Sequence, residues 1–268
     1  MTDVFIVEVA HLSVRRGQRE VVRDVSLKVA AGERVALVGP NAAGKSTLLS
    51  SLAGLLPDVV GDIWIEGRSL PSFSGRGVAK VVALVVALQE GAPRLSVLES
   101  TELGRYPHTG PLQGLSAKDR EAVRRSLAET ELEQLQERSI GSLSAGERQR
   151  AMIARALAQE PGLLLLDEPS AHLDVGHSLD LFSLLTSIAG RGMAIVAVIH
   201  DLASAARWAT RMVVMHEGRI VDDGPPTDVM TGPALGQAFG ISIIETGAAR
   251  KEQPSSWRFE RAARSHPN

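Results

Sequence analysis

From residue 4 to residue 38 the chain runs through short apolar or alternating stretches. Residues 4–9, 12–14, 25–29 and 35–38 each carry the pattern of a strand. Gly17 and Ala31-Gly32 supply turns between them. A helical run follows from Lys45 to Leu55, and residues 62–65 and 78–88 return to strand character. Between about 92 and 160 the pattern changes. Residues 97–104, 117–127 and 132–135 predict amphipathic helices, and another helix runs from Leu143 to about Gln159. Pro107 biases Tyr106 away from helix and ends the first of these. Residues 163–166 and 194–199 are unbroken apolar runs, the signature of strands covered on both faces. Residues 212–215 and 219–222 flank Glu217-Gly218 as a hairpin, and residues 227–239 predict a helical closure. The pattern is that of an α/β protein, with a β-rich start and a helical insertion near 92–160. One domain spans about 1–240. The remainder, 241–268, is an extension, expected to be a mobile tail from about 248.

Composition narrows the function classes. At 268 residues the chain can bury a sizeable core. Its formal net charge of −2 gives no global attraction to nucleic acid. It has no cysteine, which excludes disulfides and cysteine-based metal or redox chemistry and suits a reducing cytosol. Asp3 and Glu8 interrupt the first ten residues, unlike a signal peptide. The apolar runs 81–88 and 162–166 are far too short to span a bilayer, so any membrane is met through a partner.

Between a predicted strand and a predicted helix lies Gly39, Pro40, Asn41, Ala42, Ala43, Gly44, Lys45, Ser46, Thr47. This is the spacing G-x-x-x-x-G-K-[ST], whose backbone amides and helix dipole cradle phosphates. Lys45 supplies a point charge for the β- and γ-phosphates, and Ser46 a hydroxyl for Mg²⁺. Gln89 closes an apolar strand. It is either an ordinary cap or an amide aimed at Mg²⁺ and an attacking water. Asp167 and Glu168 end another strand, on opposite faces. One can hold Mg²⁺ while the other orients or deprotonates the attacking water. Ser144 and Glu147 have capping-box spacing. Either this is simply a well-capped helix, or Ser144 and the amides at Gly146 form a second anion site. His200 ends a third buried strand, where it is either structural or in reach of the γ-phosphate. His172 and His177 lack a convergent third metal ligand, and His108 reads as a surface-loop histidine. Arg15 and Arg16 form a solvated basic turn or stack on adenine through a guanidinium plane.

The ordered set Gly39–Thr47, Gln89, 143–147, 163–168, 170–174 and His200 resembles that of the ABC ATPases, over roughly residues 4–240. The resemblance implies a P-loop ATPase core with an N-terminal antiparallel β subdomain and an inserted helical subdomain. It implies ATP and Mg²⁺ as ligands, and two copies closing head to tail over two ATP molecules. Each 143–147 segment would then cap the other copy's γ-phosphate. Glu168 would be the general base, Asp167 would assist Mg²⁺, and Asp174 would link the two sites. The segment 104–108, Gly-Arg-Tyr-Pro-His, is similar to ATPases of importers for iron chelates, haem and vitamin B12. That implies a peripheral subunit on the cytoplasmic face of the cell membrane, working with a permease and, indirectly, a substrate-binding protein. The expected cargo is haem or another iron chelate, with cobalamin or a ferric siderophore next. A soluble ABC ATPase acting on ribosomes or DNA is the competing class, but no tandem unit, coiled coil or basic arm is present. Three substitutions depart from the family pattern: Ala42 and Ala145 stand in place of glycines, and Glu147 in place of glutamine. Arg16 stands where an adenine-stacking aromatic is expected.

Overall fold

The computed structural model describes residues 5–86, 95–109, 114–247 and 256–261. Two long strands open it, β1 (Phe5–Arg16) and β2 (Arg19–Ala30), followed by β3 (Arg34–Val38) and helix α1 (Lys45–Leu52). Next come β4 (Val59–Ile65), β5 (Arg68–Ser69), α2 (Gly75–Val81) and β6 (Val82–Val86). Helices α3 (Val97–Glu102), α4 (Ala117–Glu129) and α5 (Ala145–Leu157) carry the insertion. The core resumes with β7 (Leu163–Asp167), α6 (Val175–Gly190), β8 (Ala194–Val198), α7 (Leu202–Trp208), β9 (Arg211–His216) and β10 (Arg219–Gly224). Helices α8 (Pro226–Thr231) and α9 (Pro233–Phe239) and the pair β11 (Ile241–Gly247) and β12 (Ser256–Arg261) complete it.

The central sheet has the order β10-β9-β3-β8-β7-β6 and is parallel apart from its edge strand β10. A second sheet, β2-β1-β4-β5, is antiparallel. Strand alternation divides the central sheet into two packed faces. Leu164, Leu166, Ile195 and Ala197 join a core with Ile153 of α5, Leu185 of α6 and Trp208 of α7. Leu163, Leu165, Val196 and Val198 join a different core with Leu48, Leu49 and Leu52 of α1 and the strands of the second sheet. Both faces are covered, so the strands are apolar throughout. Each of the four leucines of β7 is fully buried, contributing roughly 1.5–3 kcal/mol. The insertion has its own small core around Val97, Val123, Leu127, Leu132, Ile140 and Leu143.

Several expectations need correction, among them Tyr106, which adopts helical dihedrals (φ −51°, ψ −37°) despite Pro107. Residues 78–81 are not strand but the end of α2, whose N-terminus is capped by the Ser74 hydroxyl accepting from Gly77 N–H. A short apolar run has no period that separates the two states. Residues 132–135 supply only a 3-10 turn, Glu133–Leu135. Residues 256–261, expected in the mobile tail, form β12 against β11, and Trp257 packs on the main core. Helices α6 and α7 fall in stretches for which the hydrophobic pattern above predicts no element.

Candidate functional site

Parallel register builds the site. Across the sheet, Val86 pairs with Asp167, Asp167 with Val198, and Val198 with Leu37. The strands therefore end in line, and everything that follows each strand gathers at one edge. Behind β3 comes the loop 39–44, behind β7 Glu168, and behind β8 His200. This is where open α/β sheets place ligands. Gln89 lies outside the described residues.

The loop turns sharply before α1. Gly44 has φ +105°, and an added Cβ there would stand 2.7 Å from the Val21 carbonyl oxygen. At Gly39 it would stand 2.1 Å from the Met215 carbonyl oxygen. Glycine is thus required by the neighbouring β-strands as well as by the turn. Helices α3 to α7 are each capped by a serine or aspartate side chain, whereas α1 has no side-chain cap. Its first-turn amides are left for an anion. Lys45 is buried and folds back over the loop, Nζ donating to the carbonyls of Gly39 (2.7 Å) and Pro40 (2.9 Å). Burial pushes its ammonium below the ordinary lysine range, against the pull of the Glu168 and Asp167 carboxylates. Residues Asn41 to Thr47, Glu168, Arg19 and Val21 line an open cleft of about 430 Å³.

Asp167 is in phase with Leu163 and Leu165, so it faces the α1 side of the sheet. Its Oδ1 is buried without a hydrogen-bond partner. A buried, unpaired carboxylate oxygen beside the start of α1 fits a divalent cation shared with Ser46. Glu168 sits at φ +54°, a left-handed conformation that costs a non-glycine residue on the order of 1–3 kcal/mol. Its Oε1 lies 2.6 Å from His200 Nε2, with both side chains half-exposed. Sequence alone leaves His200 without a partner; the fold gives it Glu168.

The second candidate segment lies at the start of α5. Ser144 and Glu147 form a capping box, the hydroxyl accepting from Glu147 N–H and the carboxylate from Ser144 N–H at 2.8 Å. Ser144 is exposed and Gly146 buried. Asp174 caps α6: its Oδ1 accepts from His177 N–H at 2.8 Å, and its Oδ2 lies 2.8 Å from His177 Nδ1. Those bonds hold its carboxyl below the usual range. His177 is thus committed to Asp174, and no group of three metal-ligating side chains occurs among the described residues.

Arg105, in the 104–108 segment, is a buried anchor. It is 1% exposed, with Nε 2.9 Å from Asp119 and one guanidinium nitrogen bonded to Ala158 O and Glu160. His108 also turns inward, Nε2 lying 2.8 Å from Gln159 O. Tyr106 projects from this turn, beneath the guanidinium of Arg76. Arg16 and Arg19 face one another at the β1–β2 turn, and Arg19, not singled out by sequence, lines the loop cleft.

The chain matches the ABC transporter family over residues 22–171, more than half its length. It is 34% identical to the ferric enterobactin transport ATP-binding protein FepC of Escherichia coli, covering 87% of this chain and 86% of that one. It is 38% identical to the hemin import ATP-binding protein HmuV of Bradyrhizobium diazoefficiens, over 89% and 90%. A solved ABC transporter in an inward-facing conformation, described as of the metal-chelate type, aligns at TM-score 0.80 and 25% identity, over 96% of both chains. Fold, phosphate loop and matched relatives agree: this chain belongs to the ABC transporter family as an ATP-binding subunit, an ATPase resembling those of iron-siderophore and haem importers.

Proposed function

We propose that this chain energises import of an iron chelate, haem foremost, by hydrolysing ATP in two copies closed head to tail beneath a membrane permease. The observation that carries the ATPase chemistry is the grouping of Lys45, Asp167, Glu168 and His200 at one sheet edge, beside the uncapped start of α1 and the cleft that Lys45 and Glu168 line. In this reading the loop amides from Gly39 to Thr47 and Lys45 bind the β- and γ-phosphates. Ser46 and Asp167, with Gln89, would hold Mg²⁺, which would neutralise phosphate charge. Glu168 takes a proton from the attacking water. His200 holds Glu168 in place and reaches toward the γ-phosphate. Ser144 and Gly146 face the partner copy's nucleotide, and Asp174 links the two sites.

Ferric enterobactin transport and hemin import by the two named relatives support an iron-chelate cargo, and the inward-facing neighbour supports a permease partner. Among the described residues no helix is long and apolar enough to cross a membrane, so the permease supplies the path. Its contact is assigned to the exposed Leu103 and Tyr106, with Arg76. The subunit then works at the cytoplasmic face, below a substrate-binding protein on the other side.

The test is purification of the full chain from membranes with its permease, followed by reconstitution. A ferric chelate or haem on its binding protein should stimulate ATP turnover. Glu168→Gln should retain ATP and lose turnover by about 10²–10⁴-fold, the usual weight of a general base. Undiminished turnover in that variant refutes the base assignment. A chain that recovers ribosomes or DNA and no polytopic membrane protein refutes the importer.

A further inference from the structure

Position 146 is glycine for a reason the backbone does not supply. Gly146 is not among the residues with positive φ, so an L-residue could adopt its conformation. What forbids a side chain is space. A Cβ at position 146 would stand 2.6 Å from Cδ2 and 3.0 Å from Cγ of His177, in the first turn of α6. Carbon atoms do not pack that closely, so the ring or the start of α5 would have to move.

His177 is half-exposed but tethered. Its backbone N–H and Nδ1 both engage Asp174 at 2.8 Å. The Asp174 carboxyl is held below its usual range and accepts only, so Nδ1 carries the proton and donates. A chain of contacts therefore runs from the loop 170–174 through the imidazole to the first turn of α5. It joins two segments separated in sequence by the whole of β7.

We propose that His177 is a positioning residue whose ring fixes the start of α5 against the Asp174 loop, and that this ring, rather than a nucleotide phosphate, is what requires glycine at 146. The proposal rests on the ATPase reading, because the start of α5 is the segment assigned to the partner copy's nucleotide. It adds a residue that neither family motif contains, and it makes the two segments move as one body.

The test is a double-mutant cycle on the full chain, read by melting temperature and by ATP turnover. Gly146→Ala alone should lower the melting temperature by several degrees and turnover by about a hundredfold, the weight of an ångström-scale misplacement. His177→Ala alone should lower kcat by roughly fivefold while KM for ATP stays within about twofold, because the phosphate loop is untouched. His177→Asn, whose amide nitrogen still reaches Asp174, should restore most of that loss. In the double variant Gly146→Ala/His177→Ala the clash is absent. Melting temperature and turnover should both return to the His177→Ala level. If melting recovers but turnover stays as low as in Gly146→Ala, the phosphate requires the glycine and the proposal fails. Additive losses in both readouts, or wild-type kcat in His177→Ala, also overturn it. A wild-type chain without any ATP turnover instead refutes the ATPase reading, while the melting half of the cycle still decides the contact.

Discussion

At the scale of single residues, the site holds two side chains in a backbone conformation that favours glycine. Ala42 has φ +63° and Glu168 φ +54°. For Glu168 the strain accompanies a contact: the turn places its carboxylate beside His200 and in the lining of the loop cleft. Strain held at a reacting group is a recurrent feature of active sites. For Ala42 no contact explains it. The residue is exposed in the phosphate loop, where a glycine would carry no left-handed penalty. Ala42→Gly should therefore raise stability by about 0.5–1 kcal/mol, the left-handed cost of alanine less the extra unfolded-state entropy of glycine. Urea unfolding reads this directly, and a destabilised variant would show that the methyl group has a packing role.

At the scale of elements, Arg105 anchors the helical insertion to the core. Its guanidinium, on the turn after α3, bonds Asp119 in the first turn of α4 and Ala158 O and Glu160 beyond α5. Arg125 adds a second bond to Glu160. The Asp119 carboxyl is pulled down to about 2, first by the Ser116 hydroxyl and also by the Ser116 amide and Arg105. A carboxyl depressed by folding adds stability above its unfolded pKa, and that stability is lost as pH falls through the folded value. The window is therefore about pH 4 down to 2, and the contribution about 2 kcal/mol, since Asp119 is buried. Asp119→Asn should lose this much at neutral pH, and the gap to wild type should close between pH 4 and 2. A gap unchanged at pH 2 would show that the loss is steric rather than electrostatic.

At the scale of the whole molecule, Ser46 and Ser144 are both exposed, one at the start of α1 and the other capping α5. In the proposed reading each would face an anion, and the loop would enclose phosphates from its own side. A second anion-facing helix start is most useful to a neighbour, and a head-to-tail pair satisfies this twice by symmetry. The absence of cysteine makes the test clean. In a Ser46→Cys/Ser144→Cys chain, ATP should promote a disulfide between copies. A link that forms only within one chain would sink the composite site.

Much of this was legible in the residues themselves. The spacing from Gly39 to Ser46, the unbroken leucines before Asp167 and the box from Ser144 to Glu147 each encode local chemistry that sequence displays. A phosphate loop, a buried parallel strand and a capped helix are determined by residues a few positions apart. What sequence left open were relations between distant segments. Parallel register across β3, β8 and β7 brought His200 to Glu168, two residues with no shared motif. Packing of α6 on α5 set His177 over Gly146, and burial gave Arg105 its partners Asp119 and Glu160. The Trp257 strand joined the core in the same way. Local pattern fixes what a segment can form. Which side chains meet depends on how the elements share a buried surface, and that is settled only when the whole sheet and its helices close together.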